Sequence, residues 1–215
     1  MSPVTRVFGA VIATLLAAQS QAQTLRPDQT QFRALYKELV ETNTTLSAGS
    51  CTLAAQRMAA HLKAAGFKDS ELNVFSVPTN PKEGGLVAVL PGSDPKAGAI
   101  LLLAHLDVVE ANRADWTRDP FVLVEENGWF YARGASDDKA QAAIFTDTMA
   151  RLKAGKPPRR TLKLALTCGE ETGGAFNGAE WLVKNHKDWI AADFALNEGS
   201  VGIRDKDGKY ISLGM

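Results

Sequence analysis

The segment 99–104 restricts the fold of this chain more than any other, because every position in it is apolar. A strand without a polar position has to be covered on both faces, as a central parallel strand flanked by helices is. Further inner strands are expected at 162–167 and 193–197. We therefore predict an α/β fold, with a three-layer α/β/α arrangement around a mostly parallel sheet.

Periodicity and turn residues predict the other elements of the chain. Helices are expected at 27–41, around 53–62, at 138–153 and at 178–185. Strands are expected at 72–77 and 86–90, with a loop between them that holds Pro78, Pro81, Gly84 and Gly85. Hairpins are predicted at 120–131, where Asn127-Gly128 forms the turn, and around Asp207-Gly208.

Residues 1–22 have the pattern of a signal peptide. Arg6 precedes an apolar run, and Ser20-Gln21-Ala22 offers a small-x-small cleavage site, so the mature domain is expected to cover 23–215. The run is shorter than the roughly 20 residues that span a bilayer, so no stable membrane span is expected. The predicted location is the periplasm or the cell exterior.

The charge balance bears on binding partners, and the two cysteines bear on whether a disulfide forms. The 24 basic residues balance 24 acidic ones, so no nucleic-acid partner is indicated. An oxidising compartment would allow Cys51 and Cys168 to pair. However, Cys51 opens a predicted helix and Cys168 ends a predicted strand, so we expect two separate buried thiols.

Polar side chains follow each inner strand at its carboxyl end, where ligands bind in open α/β sheets. His105 and Asp107 come directly after the first strand, and a carboxylate is a common partner for a metal-bound imidazole. Glu170-Glu171 follow the second strand and Glu198 follows the third. Adjacent glutamates diverge in direction, so one can bind metal while the other acts as a general base.

Asp137-Asp138 begin a predicted helix, after a loop of small residues. One carboxylate there could bridge two cations, as in two-metal hydrolases. Each motif also has a simpler interpretation: acidic residues are favoured at helix starts, a histidine can be bonded to backbone in a core, and two glutamates can form a solvated turn. His61 lies in a predicted helix and His186 follows the end of another, and neither is expected to be a ligand.

In these residues the chain resembles the M20 family of zinc exopeptidases, the carboxypeptidase, dipeptidase and aminoacylase group. Four ordered motifs carry the resemblance across about residues 30–203: LAHLDVV at 103–109, YARGASDDK at 131–139, GEETG at 169–173 and LNEG at 196–199. Trp116 and DPF at 119–121 accompany the first of them. Ala132, Ala140 and Cys168-Gly169 depart from the residues that are usual there.

The resemblance implies a zinc-exopeptidase-like catalytic domain with two Zn²⁺, for which Co²⁺ or Mn²⁺ could substitute. The implied metal ligands are His105, Asp137, Glu171 and Glu198, with Asp137 bridging. Glu170 would be the general base that takes a proton from the attacking water, and Asp107 would orient His105. It also implies a cis peptide between Asp137 and Asp138. The expected substrates are peptides or N-acyl amino acids, cleaved at an amide bond.

The family pattern continues beyond Met215 into an inserted lid or dimerisation domain and a final segment with another metal-binding histidine. We therefore expect this sequence to be the N-terminal portion of the catalytic domain, with dimerisation only through the domain that it lacks. The alternative is a truncated, inactive metal-binding remnant on the same scaffold. The sequence does not specify the substrate.

Overall fold

A computed structural model of the chain describes residues 24–173, 176–199 and 202–213. The predicted signal peptide at 1–22 lies outside the described residues. Within them, every helix is too short or too polar to cross a bilayer. The helices are α1 Pro27–Glu41, α2 Cys51–Ala64, α3 Lys139–Ala154, α4 Gly178–Asn185 and α5 Lys187–Ile190.

Nine strands form three sheets among the described residues. The main sheet contains β1 Leu72–Val77, β2 Asn80–Leu90, β3 Ile100–His105, β6 Leu162–Thr167 and β7 Phe194–Leu196, and the hairpins contain β4 Val124–Glu126, β5 Trp129–Tyr131, β8 Gly202–Arg204 and β9 Tyr210–Leu213. The strand order of the main sheet is β1-β2-β6-β3-β7. β3 pairs in parallel with β6 and β7, whereas β2 is antiparallel to both of its neighbours.

Helices cover both faces of the main sheet, which confirms the three-layer prediction. One face packs against α1, α2 and α3 through a core that includes Leu62, Leu102 and Leu164. The other face packs against α4 and α5 around Leu182, together with Val87 and Ala165. Alternate residues of each inner strand therefore belong to different cores, which is why these strands have few polar positions.

The first two strands differ from the prediction. Only Pro78 and Thr79 separate β1 from β2, and Gly84 and Gly85 lie inside β2 instead of in a loop. A Cβ on Gly84 would meet the backbone oxygen of Phe75 at 2.0 Å. These glycines therefore mark a close approach of neighbouring strands, which is a second role of glycine in a sheet.

The 120–131 hairpin also begins later than predicted. Its first strand is Val124–Glu126, and the residues before it form a turn. The carboxylate of Asp119 accepts a hydrogen bond from the backbone N–H of Phe121 at 2.9 Å, and its backbone oxygen accepts one from Val122. This local bonding competes with strand pairing. The Asn127-Gly128 turn is as predicted, with positive φ at both residues.

The prediction of two separate thiols is wrong, because Cys51 and Cys168 form a disulfide with a Cα–Cα distance of 6.0 Å. Cys51 does open α2 and Cys168 does follow β6, as expected. The two positions are 117 residues apart in the sequence but adjacent in space. α2 packs across β2, which is the neighbour of β6, so the first residue of the helix lies beside the end of β6.

Candidate metal centre

The parallel strands bring the predicted site residues to one edge of the sheet. His105 is the last residue of β3 and is paired in register with Thr167, the last residue of β6. The loop after β6 carries Glu170 and Glu171, and the loop after β7 carries Glu198. This arrangement follows from the rule that carboxyl ends of parallel strands share an edge.

His105 lies at the centre of the cluster, with its side chain 4% exposed. Its Nε2 atom is 3.0 Å from Asp137 Oδ1, 3.6 Å from Glu198 Oε2 and 3.9 Å from Glu170 Oε2. Ligand atoms of two sets, His105 with Asp137 and Glu198, and His105 with Glu170 and Glu171, lie within 4.8 Å of one another. The structure thus brings together all the predicted ligands and the predicted base.

The other ring nitrogen determines how His105 is oriented. Nδ1 lies 3.0 Å from the backbone oxygen of Asp107 and 3.6 Å from its carboxylate. A carbonyl oxygen can only accept, so Nδ1 carries the hydrogen and Nε2 faces the carboxylates as the candidate ligand atom. Asp107 is therefore placed to orient the imidazole, and its backbone oxygen is closer to Nδ1 than its carboxylate is.

The carboxylate of Asp107 has a second partner. Its Oδ2 atom accepts a hydrogen bond from the backbone N–H of Glu171 at 2.9 Å. Burial acts to raise the pKa of Asp107, but hydrogen bonds and the charge of His105 outweigh burial and lower it. Asp107 is therefore an anionic contact between the end of β3 and the loop that follows β6.

Asp138 has a role that sequence reasoning missed. Its carboxylate accepts a hydrogen bond from the backbone N–H of His105 at 3.1 Å and makes no capping bond to α3. Burial in particular raises the pKa of Asp138 to about 7. The bond between Asp137 and Asp138 is cis, as the resemblance implied.

The electrostatics of the cluster fit a cation. Burial acts to lower the pKa of His105, but Asp107, Asp138 and Glu198 outweigh it and raise the pKa to about 10. Burial and the charge of Asp137 raise the pKa of Glu171. Within the described residues, no lysine or arginine forms an ion pair with the carboxylates around His105. An imidazole and several carboxylates without another counter-ion suit a divalent metal.

Gly169 shapes the loop that carries the two glutamates. Its φ is +90°, and a Cβ there would lie 1.7 Å from the backbone oxygen of Phe176. Gly169→Ala is therefore expected to cost about 1–2 kcal/mol for the left-handed backbone, plus the steric cost, in free energy of unfolding. Urea denaturation measures this loss.

Gly128→Ala is the matched control, since Gly128 has φ +80° and nothing within 4 Å of its Cβ position. It isolates the backbone cost. Equal losses in the two variants would show that the contact with Phe176 has no energetic consequence.

The other two histidines lie outside the cluster. His61 Nε2 is 2.6 Å from Glu38 Oε2, between α2 and α1. His186 is the C-cap of α4, and its ring stacks on Trp189 with centroids 3.8 Å apart. Both lie apart from the candidate metal ligands and contact other side chains.

The fold and the cluster together are those of an α/β domain with a candidate metal site at the carboxyl edge of its sheet. Residues 101–209, just over half of the chain, match the model of Peptidase family M20/M25/M40, and the chain belongs to this family. This confirms the resemblance that the four motifs indicated. The match relates the chain to a family of metallo-hydrolases.

The chain matches only part of the length of each relative described below. The chain is 37% identical over 121 residues to aminoacylase-1B of Rattus norvegicus, which covers 54% of this chain and 29% of that protein. Its fold resembles an M20 family metallo-carboxypeptidase from Sulfolobus solfataricus, with TM-score 0.66, 22% identity and coverage of 86% and 39%. It also resembles human carnosine dipeptidase 1, with TM-score 0.59, 24% identity and coverage of 81% and 40%. The chain therefore spans less than half of these relatives.

Proposed function

We propose that the chain is the metal-binding portion of an exopeptidase or amidohydrolase that cleaves peptide or N-acyl amino-acid amide bonds with a two-zinc site. The position of Glu170 supports this proposal most. Its side chain is 53% exposed, yet its carboxylate is 3.9 Å from His105 Nε2. A carboxylate at the solvent side of a metal cluster is placed to exchange protons with water. A site that only stores metal has no need of it.

His105, Asp137, Glu171 and Glu198 would hold the metals. Asp137 is the bridging candidate because its carboxylate is the closest to His105 Nε2 and its side chain is 66% exposed on the other side. When bound, a pair of divalent ions supplies Lewis acidity toward an amide carbonyl and makes water more acidic. Mixed nitrogen and oxygen donors admit Zn²⁺ first, and also Co²⁺ or Mn²⁺.

Other residues of the chain would transfer protons and orient the ligands. Glu170 accepts a proton from the attacking water and passes it to the leaving amine. Asp107 keeps the Nδ1 hydrogen of His105 in place, which leaves Nε2 as the ligand atom. Asp138 holds the backbone of His105 from the side of α3.

Replacing His105 with alanine tests the metal site directly. His105→Ala is expected to lower Zn²⁺ affinity by about 100-fold or more, because it removes the imidazole on which both ligand sets depend. Competition titration with a chromophoric chelator measures the change. His61→Ala is the control, since His61 is bound to Glu38 away from the cluster. A similar loss in both variants, or none in either, would contradict this assignment.

A non-hydrolytic metal-binding remnant is the second candidate. Its support is that His105 is the one imidazole in the cluster among the described residues. The chain is accordingly expected to hold a first ion tightly and a second weakly. Hydrolysis of dipeptides and N-acetyl amino acids at saturating Zn²⁺, Co²⁺ or Mn²⁺ separates the candidates. Metal binding without any turnover would favour the remnant.

We also propose that the protein is exported and cleaved after Ala22. The apolar run before the small-x-small site supports this, and so does the Cys51–Cys168 disulfide, because disulfides persist in oxidising compartments. Cell fractionation followed by N-terminal sequencing tests the proposal. A cytosolic protein that retains Met1 would refute it.

A further inference from the structure

The Cys51–Cys168 disulfide lies next to Asp107, at the border of the candidate metal centre. Cys168 precedes Gly169 and the two glutamates, and both cysteines are buried, with 1% and 5% exposure. A carboxylate oxygen of Asp107 lies within 4.8 Å of both sulfur atoms. The same Asp107 carboxylate accepts the N–H of Glu171. The disulfide is thus attached to the 168–171 loop at Cys168. It also lies next to the Asp107 carboxylate, which binds the backbone of Glu171 in the same loop.

Among the described residues, the other attachments of the loop 168–171 are the Asp107 carboxylate, which also accepts the backbone N–H of Gly169, and the start of α4. The loop lies between β6 and α4 and has no regular structure. The backbone oxygen of Cys168 accepts the N–H of Gly178 at 2.7 Å, and the backbone oxygen of Gly169 accepts the side-chain amide of Asn177 at 3.2 Å. Both partners belong to the start of α4. α4 lies on one face of the main sheet and α2 on the other. The disulfide joins the loop covalently to α2.

Electrostatic repulsion makes such an attachment useful. The loop has to hold the carboxylate of Glu171 close to those of Glu170 and Asp137. Like charges at these distances repel, and the repulsion pushes a loop without regular structure away from the cluster. A link to a rigid element opposes that movement.

Helix α2 is such a rigid element. It packs on β2, and six of its residues are buried, among them Met58 and Leu62 at 0% exposure. Cys51 is its first residue, after the capping residue Ser50, whose hydroxyl accepts the N–H of Leu53 at 3.1 Å. The disulfide therefore joins the loop to the fixed end of a well-packed helix.

We propose that Cys51 and Cys168 are positioning residues: their disulfide holds the 168–171 loop against α2, so that Glu170 and Glu171 keep the geometry that metal binding requires. The proposal rests on the proposed metal site. It gives the disulfide a role in the site itself, beyond stabilising the fold, and makes metal affinity depend on the oxidised state of the pair.

The double variant Cys51→Ala/Cys168→Ala tests the proposal in the full chain. Two quantities are measured: hydrogen exchange in the 168–171 segment, and the dissociation constant for Co²⁺ from its visible absorption. Exchange in the segment is expected to accelerate by about tenfold or more. Co²⁺ affinity is expected to fall by about 10–100-fold, the usual effect of disturbing groups that orient metal ligands.

Leu62→Ala is the matched control, because Leu62 is fully buried in the same helix but remote from the loop. Leu62→Ala lowers global stability but leaves the disulfide intact. The two variants are compared at temperatures that lie equally far below their respective Tm values. The control is expected to leave Co²⁺ affinity and exchange in the segment unchanged. Equal effects in both variants would reduce the disulfide to a general stabiliser and overturn the proposal.

Reduction of the wild-type protein covers the case in which the double variant does not fold. A water-soluble phosphine breaks the S–S bond and gives two thiols, while the phosphine is oxidised to its oxide with oxygen from water. After removal of the phosphine, Co²⁺ affinity should be weaker, and reoxidation should restore it. Unchanged affinity after complete reduction would overturn the proposal. If the untreated protein binds no Co²⁺, the proposed function fails, and hydrogen exchange still decides whether the disulfide orders the loop.

Discussion

Replacing Glu170 with glutamine is expected to lower amide hydrolysis by about 10²–10⁴-fold while metal content stays at the wild-type level. The amide of glutamine has nearly the shape of the carboxylate but cannot accept a proton from water. Glu170 Oε2 is also farther from His105 Nε2, at 3.9 Å, than the oxygens of Asp137 and Glu198. Measuring turnover together with bound zinc separates loss of the base from loss of the metal.

Two further variants make this test specific. Glu171→Gln should weaken metal binding as well as turnover, because Glu171 is a predicted ligand on the same loop. Glu126→Gln, on the exposed β4–β5 hairpin, should change neither quantity. If Glu170→Gln keeps full turnover, Glu170 is not the base. If it loses its zinc, its role is that of a ligand.

The sequence predicts the main sheet and the location of the site for one physical reason. Strands without polar positions have to be inner strands, and inner parallel strands end at a common edge. Polar residues at the ends of such strands or just beyond them, as His105 and Glu170 are, therefore meet in space although 65 positions separate them. No knowledge of side-chain packing is needed for this step.

The sequence does not predict contacts that depend on how layers stack. Cys51 and Cys168 pair because α2 crosses β2 at a particular position, and no periodicity encodes that position. The role of Asp138 was hidden for a related reason. An acidic residue at a helix start has a sufficient local explanation, so its bond to His105 gave no separate signal.

Lys139 is the residue for which the sequence did contain an unused signal. A cation in the first turn of a helix is unfavourable for the helix dipole, so a lysine there calls for a specific partner. In the structure, Lys139 is the first residue of α3 and is 0% exposed. Its Nζ donates to the backbone oxygen of Thr42 at 2.7 Å and lies 3.5 Å from that of Val40. These oxygens belong to the end of α1, where carbonyls lack partners within the helix.

Lys139→Ala is therefore expected to lower the free energy of unfolding by about 2–5 kcal/mol. The change leaves a cavity where the alkyl chain was, and it leaves the Thr42 oxygen without its donor in a buried position. Burial lowers the pKa of Lys139 to about 7, so burying this group opposes folding at neutral pH, and its removal returns part of the loss, which places the net effect toward the lower end of this range. Urea denaturation at neutral pH measures the loss.

Lys139→Met divides this loss into its two parts. Methionine fills most of the same volume but donates no hydrogen bond, so the expected loss of about 1–3 kcal/mol is that of the unpaired carbonyl alone. Lys184→Ala, an exposed lysine on α4, is the control and should be nearly neutral. A methionine variant as stable as the wild type would show that Lys139 fills space only. The contact between α1 and α3 would then depend on packing and not on the hydrogen bond to Thr42. This contact supports Asp137 and Asp138 next to the end of β3.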